Sequence, residues 1–128
     1  MGVSQPKEVV WVTSSKKDLL AFPDSVQQIM GFALYQAQVG GKHVAAKPLR
    51  GFGGAGVLEV VDDHDGDTYR TVYTVRFADA VYVLHAFQKK SKRGSATPRQ
   101  EMELIRNRLA MARQLREQRR DTGKGELR

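Results

Sequence analysis

The sequence predicts a small α+β domain, an antiparallel-rich sheet with helices in the order β-α-α-β-β-β-α. Three stretches carry that prediction. Asp67 to Lys89 reads as two long strands turned around at Ala78 and Asp79, while Val26 to Ala37 and Met102 to Leu115 each carry an apolar stripe at helical spacing. The 128 residues suffice for one domain with a modest core, assigned here to 1–117, with a basic tail over 118–128 that loses periodicity and is expected to fray.

In chain order, Glu8 to Thr13 predicts a short strand. Ser14 and Ser15 offer helix caps, and Asp18 stands three residues after Ser15 in a capping-box arrangement. That first helix should end before Pro23, because the residue preceding a proline is pushed away from helical angles. A second helix starts at Asp24 or Ser25, lays Val26, Ile29, Met30, Ala33, Leu34 and Ala37 on the sheet, and stops at Gly40 and Gly41. Gly51, Gly53 and Gly56 match the spacing of a dinucleotide fingerprint, but a strand from Val57 to Val61 stands where a helix is needed, and no convincing strand precedes. The segment reads instead as a glycine loop carrying Lys47 and Arg50 beside the sheet.

Asp62 to Asp67, with four carboxylates and His64, has a metal-like look. A calcium loop would need a glutamate at its twelfth position, which falls on Thr74, whereas Asp-Gly between strand-like runs signals a hairpin turn. Side chains alternate along a strand. Tyr69, Thr71, Tyr73, Val75 and Phe77 therefore face a core, and Thr68, Arg70, Val72, Thr74 and Arg76 face the other way. In the next strand Ala80, Tyr82, Leu84 and Ala86 alternate with Val81, Val83, His85, Phe87 and Lys89, and both sets are largely apolar, as in a central strand covered on both sides. With the helices on one face, the face carrying Arg70 and Arg76 would be an open, shallow basic groove. In the last helix Thr97 caps, Pro98 takes the first position and Gln100 completes a T-x-x-Q box. Met102, Ile105, Leu109 and Ala112 then dock, while Arg106, Arg108, Arg113 and Arg116 face elsewhere.

With no cysteine, a disulfide framework, a thiolate metal site and a cysteine nucleophile are excluded. No apolar run approaches the roughly 20 residues that span a bilayer, and the N-terminal residues lack the pattern of a signal peptide, so the expectation is a cytoplasmic protein without a membrane partner. Formal charge is +7 even though four acids crowd into one turn, so the remainder is more basic still and favours a polyanionic partner. Lys89, Lys90, Lys92 and Arg93 make the densest cationic stretch.

The runs KPLRGFGGAGVLEV, DTYRTVYTVRF and VYVLHAFQKKSKRGSATPRQE, between Lys47 and Arg113, resemble the phage-related branch of the RelE/HigB toxin family of bacterial type II toxin–antitoxin systems. The resemblance implies a fold like that of microbial ribonucleases and metal-independent cleavage of mRNA on the ribosome, without cofactor. It also implies silencing by a neighbouring helix-turn-helix antitoxin. On this reading Arg70 meets the reacting phosphate, Lys89, Lys90, Lys92 and Arg93 form the basic stretch after the last strand, and Lys47 and Arg50 add backbone contacts. Two features depart from the pattern. Glu59, Val60 and Val61 stand where many relatives carry Glu-Leu-Arg, and no tyrosine follows Tyr82.

The residues fit that chemistry. Fixed cations can stabilise charge on phosphate oxygens, for which Arg70 and Lys90 are candidates. His85 could carry protons near neutrality or be a hydrogen-bonded core histidine, and Lys89 could act if neighbouring cations depress its pKa. Phe87 could stack a base or pack in the core, and Lys47, Arg50, Arg76, Lys92 and Arg93 would hold RNA through phosphates. A gyrase inhibitor of the ParE type and a catalytically silent nucleic-acid-binding domain remain alternatives.

Overall fold

The computed structural model describes residues 5–54, 56–89 and 97–126. The elements run β1 (Glu8–Trp11), α1 (Ser15–Leu20), α2 (Asp24–Gln38), β2 (Ala46–Pro48), β3 (Val57–His64), β4 (Asp67–Thr74), β5 (Ala80–Lys89) and α3 (Arg99–Glu126). The five strands form one sheet in the order β1-β5-β4-β3-β2. The β1–β5 pair is parallel and the others are antiparallel. The α+β reading holds, with one strand more than expected. β2 escaped the sequence because it is three residues long and ends on a proline, which an edge strand tolerates. It does precede the glycine loop, but that loop leads into β3, its hairpin partner, and not into a helix.

The acidic stretch turns tightly. Asp65 and Gly66 both take positive φ, 51° and 84°, between the paired His64 and Asp67. That is the signature of a two-residue primed turn, which asks for a residue such as Asp and then Gly.

The sheet is covered on both faces, which corrects the expected open groove. Val26, Met30, Ala33 and Leu34 of α2 pack on one face with Tyr69, Tyr73, Val81 and Val83. Ile105, Leu109 and Ala112 of α3 pack on the other with Val57, Val72, Tyr82 and Leu84. β5 supplies apolar side chains to both sides and Val72 adds to the α3 side, so burial favours a helix on each. A bulge changes the parity within β5. Val72 pairs with His85 but Tyr73 pairs with Val83, so Leu84 is the extra residue. Val81 and Val83 therefore lie with Ala86 on the α2 side, while Leu84 and Phe87 lie on the α3 side.

The start of α1 lacks its expected side-chain cap because both serine hydroxyls are used elsewhere. Ser15 donates to the Val83 carbonyl at 3.1 Å, and the Ser14 hydroxyl bonds Asp18 at 2.8 Å. α3 stays helical through Glu126 instead of fraying from Gln118. Its later turns are fastened to the body, since Arg119 bonds Glu8 at 2.8 Å and Asp79 at 3.1 Å, and Arg116 lies 5.4 Å from the Phe77 ring centre. Burial raises the Asp79 carboxyl, but hydrogen bonds from Tyr82 and Arg119 outweigh it and hold the group below its ordinary pKa. Arg116 and Arg108 thus face the body, contrary to the expected outward orientation.

Candidate functional site

Directly opposed residues on neighbouring strands share a face. Lys47 opposes Glu59, Glu59 opposes Val72, and Val72 opposes His85, so one row crosses four strands on the α3 side. Arg70, opposite Val61 and Phe87, lies one step along on the same face. One hollow opens at the β2–β3 end of this row beside Thr97 and Met102, and another at the β5 end beside Glu101, where it also reaches Phe22, Tyr69 and Ala86 of the α2 side.

The first hollow, about 420 Å³, is lined by Lys47, Pro48, Leu49, Arg50, Glu59, Thr97 and Met102. Lys47 and Arg50 are exposed at its rim. At its floor Arg70 Nη1 donates to Glu59 Oε2 at 2.8 Å and to the Thr97 hydroxyl at 3.3 Å, and that hydroxyl donates to the same carboxylate oxygen at 3.2 Å. Glu59 Oε1 has no hydrogen-bond partner among the described residues, and neither does the buried Arg70 Nε. Arg70 is only 3% exposed. It is therefore a buried ion-pair partner, where the sequence placed it on an open groove beside Arg76. Arg76 lies elsewhere, six residues on and roughly 20 Å along the strand direction. Its guanidinium donates to the Phe52 carbonyl and its stem crosses Gly56, where a Cβ would collide with it. It holds the glycine loop.

The second hollow, about 380 Å³, includes Asp18, Tyr69, His85, Phe87, Gln88 and Glu101. His85 is 7% exposed and both ring nitrogens are engaged. Arg108 Nη1 approaches Nδ1 at 3.3 Å, so Nδ1 accepts and Nε2 carries the proton, donating to Glu101 at 2.6 Å. Arg108 also donates to the Leu84 carbonyl at 3.0 Å and to the Ser14 hydroxyl at 3.2 Å. Phe87 is stacked on the imidazole, ring centres 4.7 Å apart, and packed in the α3-side core, so it is not presented to a base. His85 and Glu59 stand two strand spacings apart, roughly 10 Å, in separate hollows.

Burial lowers the His85 pKa, and the Glu101 hydrogen bond only partly offsets it. Below about pH 6.5 the unfolded chain protonates this imidazole while the folded one resists. Stability contributed by neutral His85 is thus present above that pH and lost as pH falls toward the depressed folded value. The melting temperature is expected to drop between pH 7.5 and 5.5 in the wild type and to drop less in His85→Gln. Parallel curves for the two proteins would refute the assignment.

Of the other sequence-predicted residues, Lys89 is half-buried opposite Thr68 on the same face. Lys90, Lys92 and Arg93 lie outside the described residues. Among the described residues no group of His, Asp or Glu is placed to hold a metal ion. Sequence reasoning missed Glu59, Thr97, Glu101 and Arg108 as site groups. For Glu59 a signal existed, a lone carboxylate in the apolar run Val57 to Val61.

The sequence profile of the phage-derived Gp49-like proteins matches residues 17–110, from α1 into α3. The chain belongs to the Gp49-like family. That family is of the RelE/HigB toxin type. Among solved structures, the Gp49-like chain is similar to a chain of the RelBE2 toxin–antitoxin complex of Mycobacterium tuberculosis. The two share 21% identity at a TM-score of 0.44, over 67% of this chain and 94% of that one. No curated protein sequence matches. None of the described helices of the Gp49-like domain is long and apolar enough to cross a membrane.

Proposed function

We propose that this chain is the toxin of a toxin–antitoxin pair, that it cleaves RNA without a metal, and that a helix-turn-helix antitoxin silences it. Membership of a RelE/HigB-type family supports the toxin role. The observation that carries the chemistry is the first hollow, a carboxylate fixed from below by Arg70 and Thr97 inside a rim of exposed cations.

In the proposed reaction Glu59 Oε1 accepts the proton of a ribose 2′-OH, and the freed oxygen attacks the adjacent phosphorus. The 5′-oxygen leaves, closing a 2′,3′-cyclic phosphate, and takes up a proton from solvent. Lys47 and Arg50 offset the charge that grows on the phosphate oxygens. Arg70 is a positioning residue in this scheme, since it is turned to the carboxylate and covered from solvent. The target is mRNA on the ribosome, and the basic rim makes binding weaken as salt rises.

The test is induction of wild type and a Lys47→Ala/Arg50→Ala variant in a bacterial host, with pulse-labelled protein and DNA synthesis followed beside growth. Wild type is expected to stop protein synthesis first, and the variant, altered only at exposed positions, to lose most of that effect. Co-expression of the helix-turn-helix antitoxin should restore growth. An early stop in DNA synthesis would assign a gyrase-directed action instead, and full toxicity of the variant would exclude the hollow as the RNA site.

A further inference from the structure

Helix α3 carries an arginine at every seventh position from its start, Arg99, Arg106, Arg113 and Arg120. Seven residues fall about 20° short of two full turns, so the four stay on one side of the helix with a slow drift, roughly 10 Å apart along its axis. All four are exposed. The other arginines of α3 are engaged inside the molecule. Arg108 bonds the Leu84 carbonyl, Arg119 bonds Glu8 and Asp79, and Arg116 lies 3.9 Å from Asp79. Within the row, Arg99 meets Glu103 at 3.6 Å. Arg106, Arg113 and Arg120 ion-pair with no carboxylate among the described residues, although Glu117 stands between the last two on the same side.

The row meets the rim of the first hollow. The Arg106 guanidinium lies 5.6 Å from the Phe52 ring centre, and a Cβ on Gly51 would stand 3.4 Å from its Nη2. It therefore sits against the residue that follows Arg50, beside the hollow that Arg50 and Met102 line. Arg113 and Arg120 lead away from that rim over roughly 20 Å more of helix. A straight row of evenly spaced guanidiniums without counter-charges suits a chain that carries a phosphate on every unit. Continuity with the hollow selects RNA over an acidic protein segment as that chain. We propose that the α3 row is a phosphate track for single-stranded RNA, which grips nucleotides several positions away from the one that is cut and makes an extended strand the preferred substrate. The inference rests on the first hollow being the RNA site, but not on the role of Glu59 in the chemistry.

Binding of the full chain to 2′-O-methylated RNA oligomers of about 4 and about 16 nucleotides tests the track. These offer no 2′-OH to attack, so they stay intact whatever the chemistry. Wild type is expected to bind the longer oligomer at least about 10-fold more tightly than the shorter one. Arg113→Ala/Arg120→Ala, altered only at exposed positions, should weaken binding of the longer oligomer roughly 10-fold and flatten its slope of log K against log salt by about 1.4. Binding of the shorter one should stay as in wild type. Arg113→Lys/Arg120→Lys should keep most of the affinity, because an ammonium still meets phosphate as a point charge. Equal wild-type affinity for the two lengths, or an alanine variant with unchanged affinity and slope, would overturn the proposal. So would an alanine variant that holds long RNA normally but loses its complex with the antitoxin, which would give the row to that protein. Length-dependent binding that the alanine variant loses, in a wild type that leaves unmethylated RNA uncut, would uphold the track and count against the Glu59 chemistry alone.

Discussion

Replacing Arg70 by alanine is expected to lower the melting temperature by roughly 10–20 °C. The guanidinium and the Glu59 carboxylate are both largely removed from water and meet at 2.8 Å. Removing one partner leaves the other buried and unpaired, which costs about 3–5 kcal/mol, and each kcal/mol moves the midpoint by a few degrees in a domain of this size. The loss comes from the orphaned carboxylate more than from the pair itself. Glu59→Leu in the Arg70→Met background should therefore recover most of the stability, because apolar groups of similar volume replace a buried pair at little cost. Thermal melts of the three proteins decide the matter. A single variant that melts within a few degrees of wild type would mean that water reaches Glu59, and would end the description of Arg70 as a buried positioning group. The double variant also separates folding from activity, since the scheme requires it to be folded and inactive.

The elements that could be read from sequence were those whose apolar residues have one destination. Val26 to Ala37 and Ile105 to Ala112 each bury a single stripe, and Asp65-Gly66 turns the chain by local backbone preference alone. The rest depends on partners distant in sequence. Strict alternation puts Val83 and Phe87 on one face, and only the bulge at Leu84, visible once β4 and β5 are paired, sends them to opposite sides. Arg70 resembles a surface arginine until β3 is laid beside β4 and α3 brings Thr97 over both. The site suffered most from this. Lys47 and Arg50 are exposed as expected, but Glu59 joins them only when β2 pairs with β3 and sets it opposite Lys47.

Glu59→Gln is the sharper test of the chemistry, and it is expected to lower kcat for RNA cleavage by about 10²–10⁴-fold, the usual worth of a general base. Glutamine keeps the side-chain shape, and its carbonyl oxygen can still accept from Arg70 and Thr97, so the hollow keeps its geometry in the folded fraction, although the uncompensated Arg70 guanidinium lowers the melting temperature on either reading. What it loses is the second carboxylate oxygen that faces the substrate. Affinity should change little, because Lys47 and Arg50 hold the phosphates from the rim. Lys47→Ala should act on both terms, raising KM as a phosphate contact is lost, lowering kcat as the growing charge loses a cation, and flattening the salt dependence of binding. The contrast matters because a structural role predicts a different pattern. If Glu59 served only to neutralise Arg70, the isosteric amide would shift the melting temperature and leave the turnover of the folded fraction unchanged. Full turnover in Glu59→Gln would move proton transfer out of this hollow, and the pair of His85 and Glu101 in the neighbouring one would then be the next to test.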